Sequence, residues 1–484
     1  MVPVSRLIMN KVVFYLASRY LTYFIQFVTS LIIAAELGPY YMGIWGFVLL
    51  LLNYFQQFHL GIANSFSVLY VLHKDNEEKC NNYIGNSLML LVYLSSLVIG
   101  FLLYYQIWGI SYFDKFHVDK YLIWVCMIAV MQYFVIFFLN LFRVKNQLNR
   151  VTFCQSIVVL LNFACVFFFK GEELIQWLVA GYVVGNLLCI VMALTSGSIP
   201  KINEMTFSKK VQLVILKKGL YLFLYNTCFY FIIISIRTII SWNYSVEEFG
   251  LFTFSYTLAN ALMLILDALM FILFPKVISK LSSEDITEVS NTINFLRTTY
   301  ITSAHLLIYI ALPCFPLVLY LLPKYSDALM SLNLITLTIL LNANSCGYLE
   351  LLISRNKEKL SAALSSITLF LNCLFALLLV KIIRVPFSHV ILSTLVTYFV
   401  FTMSSMFFGK KQIGTIVAKE FFSEYFPLRL LIPYLCAFLF SIFGYDTWLF
   451  LPLVIFLLLN LTASKNIAVA IKTLLLKPES VNLE

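Results

Sequence analysis

Two arginines lie inside long apolar stretches of the chain, where a charged side chain is unfavourable. Arg19 falls in the first stretch, roughly 12 Å from its start at the rise of a helix, and Arg237 falls near the far end of the seventh. A guanidinium group carries a fork of donors that matches phosphate, so two such groups in a dry cavity could hold a diphosphate. In the alternative, structural interpretation, each arginine pairs with a neighbouring carboxylate or a helix carbonyl.

Two acidic residues also fall inside apolar stretches. Asp267 shares a helical face with Thr253 and Asn260, and an acid at such a position is a candidate for carrying a coupling proton or cation. Glu350 lies close to the end of its stretch, where it could reach water or pair with Arg355. We therefore expect Asp267 to matter more for coupling than Glu350.

A second polar face runs along the second apolar stretch. It contains Asn53, Gln57 and Asn64, and His59 lies beside it. Asn53 and Asn260 are 207 residues apart, which is the offset of an internal repeat. We therefore expect the two polar faces to lie opposite each other across a cavity. Hydrogen bonding between packed helices is the alternative explanation. A lone histidine such as His59 is more often packed than used for proton transfer.

The composition places these residues in a membrane protein. Of the 484 residues, 61% are hydrophobic and 12% are charged, against about 45–50% and about 25% in soluble domains. A membrane span needs about 20 apolar residues, and the apolar runs predict fourteen spans. These lie near 12–35, 44–71, 83–106, 120–142, 151–169, 174–195, 219–241, 249–274, 297–322, 328–353, 360–380, 386–408, 427–444 and 447–464.

The net charge of +10 is explained by topology. With the N-terminus inside, 24 lysines and arginines fall in the predicted cytoplasmic segments and 6 in the outer loops, as the positive-inside rule requires. An even number of spans then puts both termini in the cytoplasm. Since topology accounts for the basic charge, we expect no nucleic-acid partner.

The motifs of common enzymes are missing from the sequence. It contains no HExxH, no phosphate-binding loop, no GxSxG, no CxxC pair and no DxD sugar-nucleotide motif. The outer loops predicted from the charge bias are also too short for a catalytic domain. We therefore expect no catalytic residues, no metal site and no cofactor, and the chain is predicted not to be an enzyme.

An internal repeat relates the two halves of the chain. Sliding the sequence by 207 residues pairs Gly43 with Gly250 and Asn53 with Asn260, and gives ten identities over positions 11–53. The offset carries span 1 onto span 7, and six intervening spans keep the orientation. The halves are therefore predicted to be parallel repeats related by an axis along the membrane normal.

The repeat predicts the domain organisation. A first six-helix lobe covers 1–200, a cytoplasmic linker covers 201–218, a second six-helix lobe covers 219–408, and two additional helices with a tail cover 409–484. Within the linker, Phe207, Val211, Val214 and Ile215 share one helical face, which suits a helix lying at the membrane surface. A plain basic loop is the alternative.

Short motifs indicate a family. They are the run ELGPYYMG at 36–43, HLGI at 59–62, IRTII at 236–240 and LPKY at 322–325. With the six-plus-six repeat and two extra spans, the chain resembles the Wzx-type flippases of O-antigen and capsular polysaccharide, members of the multidrug/oligosaccharidyl-lipid/polysaccharide exporter (MOP) superfamily. Many members carry an acidic residue before the arginine of span 7, where this chain has Ile236, so the resemblance implies no ion pair at that point.

The resemblance implies an all-α polytopic protein of the inner membrane, with the two repeats around a V-shaped central cavity. It implies a flippase that moves undecaprenyl-diphosphate-linked oligosaccharide to the outer leaflet by alternating access, coupled to H+ or Na+. The partners it implies are this substrate, membrane lipid, and polysaccharide polymerase and chain-length proteins. Arg19 and Arg237 would hold the diphosphate. The polar residues of the cavity or of coupling would be Asp267, Glu350, Asn53, Gln57, Asn260 and His59.

Two other functions fit parts of the sequence. A multidrug cation antiporter of the same superfamily should have an acidic cavity and twelve spans, whereas this chain has as many buried cations as buried acids. A membrane-embedded polysaccharide polymerase should have long outer loops, and this chain has short ones.

Overall fold

In the computed structural model of the protein, the backbone is described for residues 4–414, 424–425 and 427–461. Side chains are described for the same residues except 4–14, 16, 222, 265, 267–269 and 271–276. Every regular element within those residues is helical. This confirms the predicted all-α fold class.

The longer helices of the described residues are joined by short loops and turns. They are α1 (Val4–Gln57), α2 (Ile62–Leu72), α3 (Glu77–Trp108), α4 (Leu122–Val144), α5 (Leu148–Cys165), α6 (Gly171–Thr195), α7 (Lys209–Lys218), α8 (Leu220–Asn243), α9 (Val246–Leu281), α10 (Ile286–Leu296), α11 (Thr302–Ala311), α12 (Phe315–Leu321), α13 (Leu329–Ala343), α14 (Tyr348–Ser354), α15 (Glu358–Leu377), α16 (Leu392–Lys410), α17 (Leu428–Phe443) and α18 (Leu451–Leu459). Two π-helical turns lie at Arg297–Ile301 and Leu378–Ile383.

The helices have the length and composition of membrane spans. Among the described residues, ten helical stretches are long and apolar enough to cross a membrane, and three shorter apolar helices accompany them. The protein is therefore a multi-pass membrane protein, as the composition predicts. The number of fourteen spans stays a prediction.

The first two predicted spans are joined into one long element. The backbone of α1 leaves helical geometry at Gly38, with φ 65° and ψ 174°, and Pro39 follows. A positive φ is readily adopted by glycine, while proline removes a backbone donor that a continuous helix would use. The ELGP part of the family motif is therefore a corner between two helical segments.

The predicted second span is interrupted. Between α1 and α2, Leu60 and Gly61 both adopt left-handed backbone conformations, with φ 50° and 66°. Left-handed residues end a right-handed helix. The HLGI motif therefore divides the span into two shorter helices, and the carbonyls of Phe55 and Gln56 accept from the N–H groups of Phe58 and His59 in the turn between them.

The chain divides into two compact units. The first unit contains residues 1–227 and 245–250, and the second contains 228–244 and 251–484. The linker 201–218 belongs to the first unit. The predicted lobe boundaries near 200, 218 and 408 stay predictions.

The glycines of the repeat meet within the first unit. A Cβ atom on Gly43 would collide with the carbonyl oxygen of Val246, and one on Gly250 would collide with that of Pro39. Pro39 and Val246 are also 207 residues apart, so the contact is reciprocal. A two-fold relation between the repeated segments gives this reciprocity, and only glycine lets the two backbones come so close.

Buried aromatic rings form a core in the first unit. Phe47 stacks on Phe116 with ring centroids 4.1 Å apart, and Phe249 packs edge-on against Phe116 at 5.6 Å. These rings come from α1, the loop before α4, and the start of α9, so they hold residues 245–250 in the first unit.

A buried amide joins three helices of the second unit. Asn372 of α15 donates to the carbonyl of Ile232 in α8 at 2.8 Å and accepts from the hydroxyl of Thr394 in α16 at 3.0 Å. A polar group inside a membrane protein needs such partners. Asn372 therefore fixes the packing of the helix that carries Arg237.

The linker is docked on the first unit. Asn86 of α3 donates to the carbonyl of Thr206 at 2.8 Å and accepts from the N–H of Ser208 at 2.9 Å, while Asn82 accepts from the N–H of Thr206 at 2.7 Å. The helix α7 follows directly and buries Ile215. The linker thus contains a helix rather than a plain loop, and its position at the membrane surface stays a prediction.

Candidate functional site

Arg19 is held by a tyrosine one turn further along α1. Its Nη2 donates to the Tyr23 hydroxyl at 2.6 Å, and its guanidinium carbon lies 4.5 Å from the centroid of the Tyr23 ring. The spacing of four residues puts both side chains on one helix face. The arginine is half-buried.

A second arginine lies near this pair. The hydroxyl of Tyr15 is within electrostatic reach of both Arg19 and Arg143. Arg143, near the end of α4, is exposed and donates to the Oδ1 atom of Asn140 at 2.7 Å. From the sequence, Arg143 counts only as one of the charges that set topology. No sequence signal brings α1 and α4 together at this point.

Hydrogen bonds between helices fix the position of this cluster. The Tyr15 hydroxyl donates to Oε1 of Gln155 at 3.3 Å, and the hydroxyls of Thr22 and Ser156 are 2.8 Å apart. Both contacts join α1 to α5. We call Tyr15, Arg19, Tyr23 and Arg143 the arginine cluster; guanidinium groups and phenols are donors of the kind that bind an anion with several acceptor oxygens.

Arg237 is deeply buried in the second unit. Its residue is 2% exposed, and its guanidinium carbon lies 5.1 Å from the ring centroid of Tyr256 in α9. Tyr230 lies on the same face of α8 as Arg237, within electrostatic reach of its guanidinium. Tyr230 is the repeat equivalent of Tyr23, so each unit places an arginine near the same repeated tyrosine.

The helix break at 58–61 collects polar groups in the first unit. Gln56 donates to Oε1 of Gln132 at 2.8 Å, and Gln57 accepts from the Thr227 hydroxyl at 3.3 Å. The Tyr133 hydroxyl donates at 2.8 Å to the carbonyl of Phe55, which also accepts from the N–H of Phe58. Interrupted helices are where many transporters bind their coupling ions.

His59 lies in this break. Its Nδ1 atom is buried and makes no well-aligned hydrogen bond within the described residues, although the carbonyls of Gln56 and Gln57 lie close to the imidazole. Asn53, two turns earlier in α1, is half-buried. The structure therefore brings Gln57 and His59 into one polar region.

The other predicted site residues lie in the second unit. Asp267 belongs to α9, but its side chain lies outside the described residues. Asn260 is exposed on the same helix. The predicted approach of Asn53 and Asn260 across a cavity stays a prediction.

Glu350 has a clear local partner. Its Oε2 atom accepts from the N–H of Gly347 at 2.6 Å, which caps the first turn of α14. Arg355 donates instead to the carbonyl of Ser283 at 2.6 Å. Glu350 therefore has a structural task that the sequence did not indicate. In the described part of the chain, no group of three or more histidine, cysteine, aspartate or glutamate residues is placed to hold a metal ion.

The helical fold defines the class of protein. It is similar to the structure titled "Lipid II flippase MurJ, inward closed conformation", with a TM-score of 0.68, 12% identity, and coverage of 95% of this chain and 99% of that one. It is also similar to an inward-facing multidrug resistance MATE family transporter of the MOP superfamily, with a TM-score of 0.63, 14% identity, and coverage of 81% and 94%. A MOP superfamily transporter from Pyrococcus furiosus, described as having a binding pocket of reverse polarity, matches with a TM-score of 0.51, 13% identity, and coverage of 84% and 95%. The chain thus has the fold of MOP superfamily transporters.

The family follows from the sequence match. The family model for "Polysaccharide biosynthesis protein" matches residues 8–282, more than half of the chain. The chain belongs to that family, and the resemblance drawn from its motifs is confirmed. A search of curated proteins found no match.

Proposed function

We propose that the protein is a flippase that moves undecaprenyl-diphosphate-linked oligosaccharide from the cytoplasmic to the outer leaflet of the cytoplasmic membrane, for O-antigen or capsule synthesis. The observation that carries the proposal is the arginine cluster in a member of the polysaccharide biosynthesis family. Similarity to the MurJ fold supports a lipid-linked substrate.

The chemistry of the substrate matches the cluster. A diphosphate carries at least two negative charges, and it must leave the headgroup layer before it can cross. Two arginines provide forked donors, and the phenols of Tyr15 and Tyr23 add hydrogen bonds around them. Arg237, in the second unit, provides fixed positive charge at another station on the path.

Transport proceeds by alternating access of the two six-helix lobes, in which a polar cavity replaces the water around the sugar while the polyprenyl tail stays in lipid. Proton or sodium movement drives it, with Asp267 and the break around His59 as the candidate ion sites. The product is delivered to polysaccharide polymerase and chain-length proteins on the outer side. Both termini face the cytoplasm.

The test is complementation of a strain that lacks the protein. The strain should accumulate undecaprenyl-linked oligosaccharide on the cytoplasmic face, and the wild-type gene should restore surface polysaccharide. Arg19→Ala should restore little and Arg19→Lys an intermediate amount, at normal protein level, because lysine keeps the charge but loses the fork. Arg384→Asn is the matched control, since Arg384 is exposed and has a left-handed φ of 59° that asparagine tolerates.

A multidrug antiporter is the second candidate, and the fold of the MATE transporters favours it. It predicts that the strain lacking the protein keeps its surface polysaccharide and becomes more sensitive to cationic drugs. Normal surface polysaccharide in that strain would reject the flippase.

A further inference from the structure

The second unit contains a cavity whose lining residues are not among those proposed for transport. Its volume is about 180 Å³, and it lies where the π-helical turn at 297–301, the end of α13 and the start of α17 come together. Its polar lining is provided by Asn294, Arg297, Thr298, Asn344, Glu424 and Arg429.

Arg297 builds the wall of the cavity. Its Nη1 donates to the carbonyl of Asn344 at 3.0 Å, its Nη2 donates to the carbonyl of Glu424 at 2.9 Å, and its guanidinium lies over the Tyr348 ring. These bonds tie three chain segments together. The backbone carbonyls bind its donors, and among the residues that the structure describes Arg297 forms no ion pair with a carboxylate.

The acid of the cavity is already neutralised. The Glu424 carboxylate forms an ion pair with Lys410 and accepts a hydrogen bond from the Tyr348 hydroxyl. The partners of this carboxylate are therefore side chains of α16 and α14, not the arginines of the cavity. The two arginines remain as the excess charge of the cavity.

Arg429 is the second arginine that lines the cavity. It lies in the first turn of α17, is half-buried, and forms no hydrogen bond or ion pair from its guanidinium to any residue that the structure describes. A cation in the first turn meets the positive end of the helix dipole, which is unfavourable until an anion binds there. The placement thus favours an anionic ligand held by Arg429 and the N-terminus of α17.

The surface next to the cavity is apolar. Leu428, Ile432, Leu435 and Leu439 of α17 are all exposed. They recur at helical spacing and form one stripe that begins at the cavity. A free inorganic anion would make no contact with this apolar stripe, whereas the acyl chains of a lipid would pack against it.

We propose that this cavity binds the headgroup phosphate of an anionic membrane lipid, with Arg429 on the phosphate and the lipid chains along α17. Basic pockets between spans at the cytoplasmic side bind anionic headgroups in this way, and the charge bias predicts that this end of the unit is cytoplasmic. The proposal is independent of the transported substrate.

The experiment measures lipid binding to the purified full-length protein by native mass spectrometry, with phosphatidylglycerol as the probe. We expect wild type to retain phosphatidylglycerol in preference to phosphatidylethanolamine. Arg429→Ala should weaken phosphatidylglycerol binding about tenfold, since it removes a hydrogen bond to a charged group, and Arg429→Lys should weaken it less. Arg384→Asn should bind as wild type does.

Two results would overturn the proposal. One is phosphatidylglycerol binding by Arg429→Ala that equals wild type. The other is displacement of the lipid by inorganic phosphate at equal concentration, which would assign the cavity to a free anion. Thermal unfolding without lipid controls for folding, and Arg429→Gln serves as the second variant if the alanine protein is unstable. Because the readout is binding, a failed flippase proposal leaves this test intact.

Discussion

In both units, an arginine within a predicted span lies beside a tyrosine. Arg19 donates to Tyr23, and Arg237 lies over Tyr256 with Tyr230 nearby. The face of an aromatic ring attracts a cation, and this attraction is stronger where water is excluded. The aromatic rings therefore explain how spans of this protein hold arginines.

Arg143 provides the first prediction. If it shares the diphosphate with Arg19, Arg143→Ala should reduce surface polysaccharide several-fold at normal protein level, and Arg143→Lys should reduce it less, because the fork is lost in both but the charge only in one. The readout is surface polysaccharide in the complemented strain. Full activity of Arg143→Ala would limit Arg143 to setting topology.

A second prediction separates the two acids. Asp267→Asn should abolish ion-driven transport while protein level and substrate binding stay normal. Glu350→Gln should do little, because glutamine keeps an oxygen that can accept from the Gly347 N–H. Transport in vesicles with and without an ion gradient provides the measurement. A fully active Asp267→Asn protein would make Asp267 a packing residue.

At the scale of elements, two interruptions shape the helices of the first unit. The corner at Gly38 turns α1, and the break at Leu60 and Gly61 separates α1 from α2. Each uses left-handed backbone that a straight span does not contain. The first lets the two segments of α1 change direction, and the second places His59 close to the backbone of Gln56 and Gln57.

The glycine contact provides the third prediction. Gly43→Ala should lower stability by about 1–3 kcal/mol, the usual effect of overpacking, because its Cβ would collide with the Val246 carbonyl. Gly100→Ala is the matched control, since a Cβ there meets nothing within 4 Å and helix propensity alone should favour it by about 0.5–1 kcal/mol. Thermal unfolding in detergent measures both. Equal midpoints for Gly43→Ala and wild type would contradict the close packing of these backbones.

At the scale of the whole molecule, the charge bias and the internal repeat predict the same orientation of the spans in the membrane. The first and second halves must have the same orientation if six spans separate equivalent positions. The reciprocal contact of Gly43 and Gly250 agrees with such a repeat.

Orientation is the fourth prediction. Single cysteines introduced at Lys74, Lys210 and Lys357 of a cysteine-free protein should react only after the membrane is permeabilised, and those at Lys115 and Asp446 should react from outside. Lysines concentrate at the cytoplasmic side because the positive-inside rule retains them there. Labelling of position 210 from outside would overturn both the orientation and the parallel repeat.

Much of the fold could be predicted because its signals are local. Apolar length is a property of the chain in one dimension and led to the all-α membrane fold, and the short motifs at 36–43, 59–62, 236–240 and 322–325 led to the correct family. The glycine pair was visible as an identity in the repeat. The break at 58–61 was not predicted, because its residues lie within a predicted span and left-handed backbone such as that of Leu60 and Gly61 has no hydropathy signal.

The candidate site divides in the same way. The sequence by itself determined which ionisable residues lie within apolar stretches, since lipid makes Arg19 and Arg237 exceptional wherever the helices pack. Only the tertiary structure decided that Arg143 lies within electrostatic reach of the Tyr15 hydroxyl, as Arg19 does, and that Glu350 accepts from the N–H of Gly347. These neighbours depend on how each helix is rotated and which helix it packs against, and a hydrophobic pattern does not encode that rotation once apolar residues surround a helix on every side.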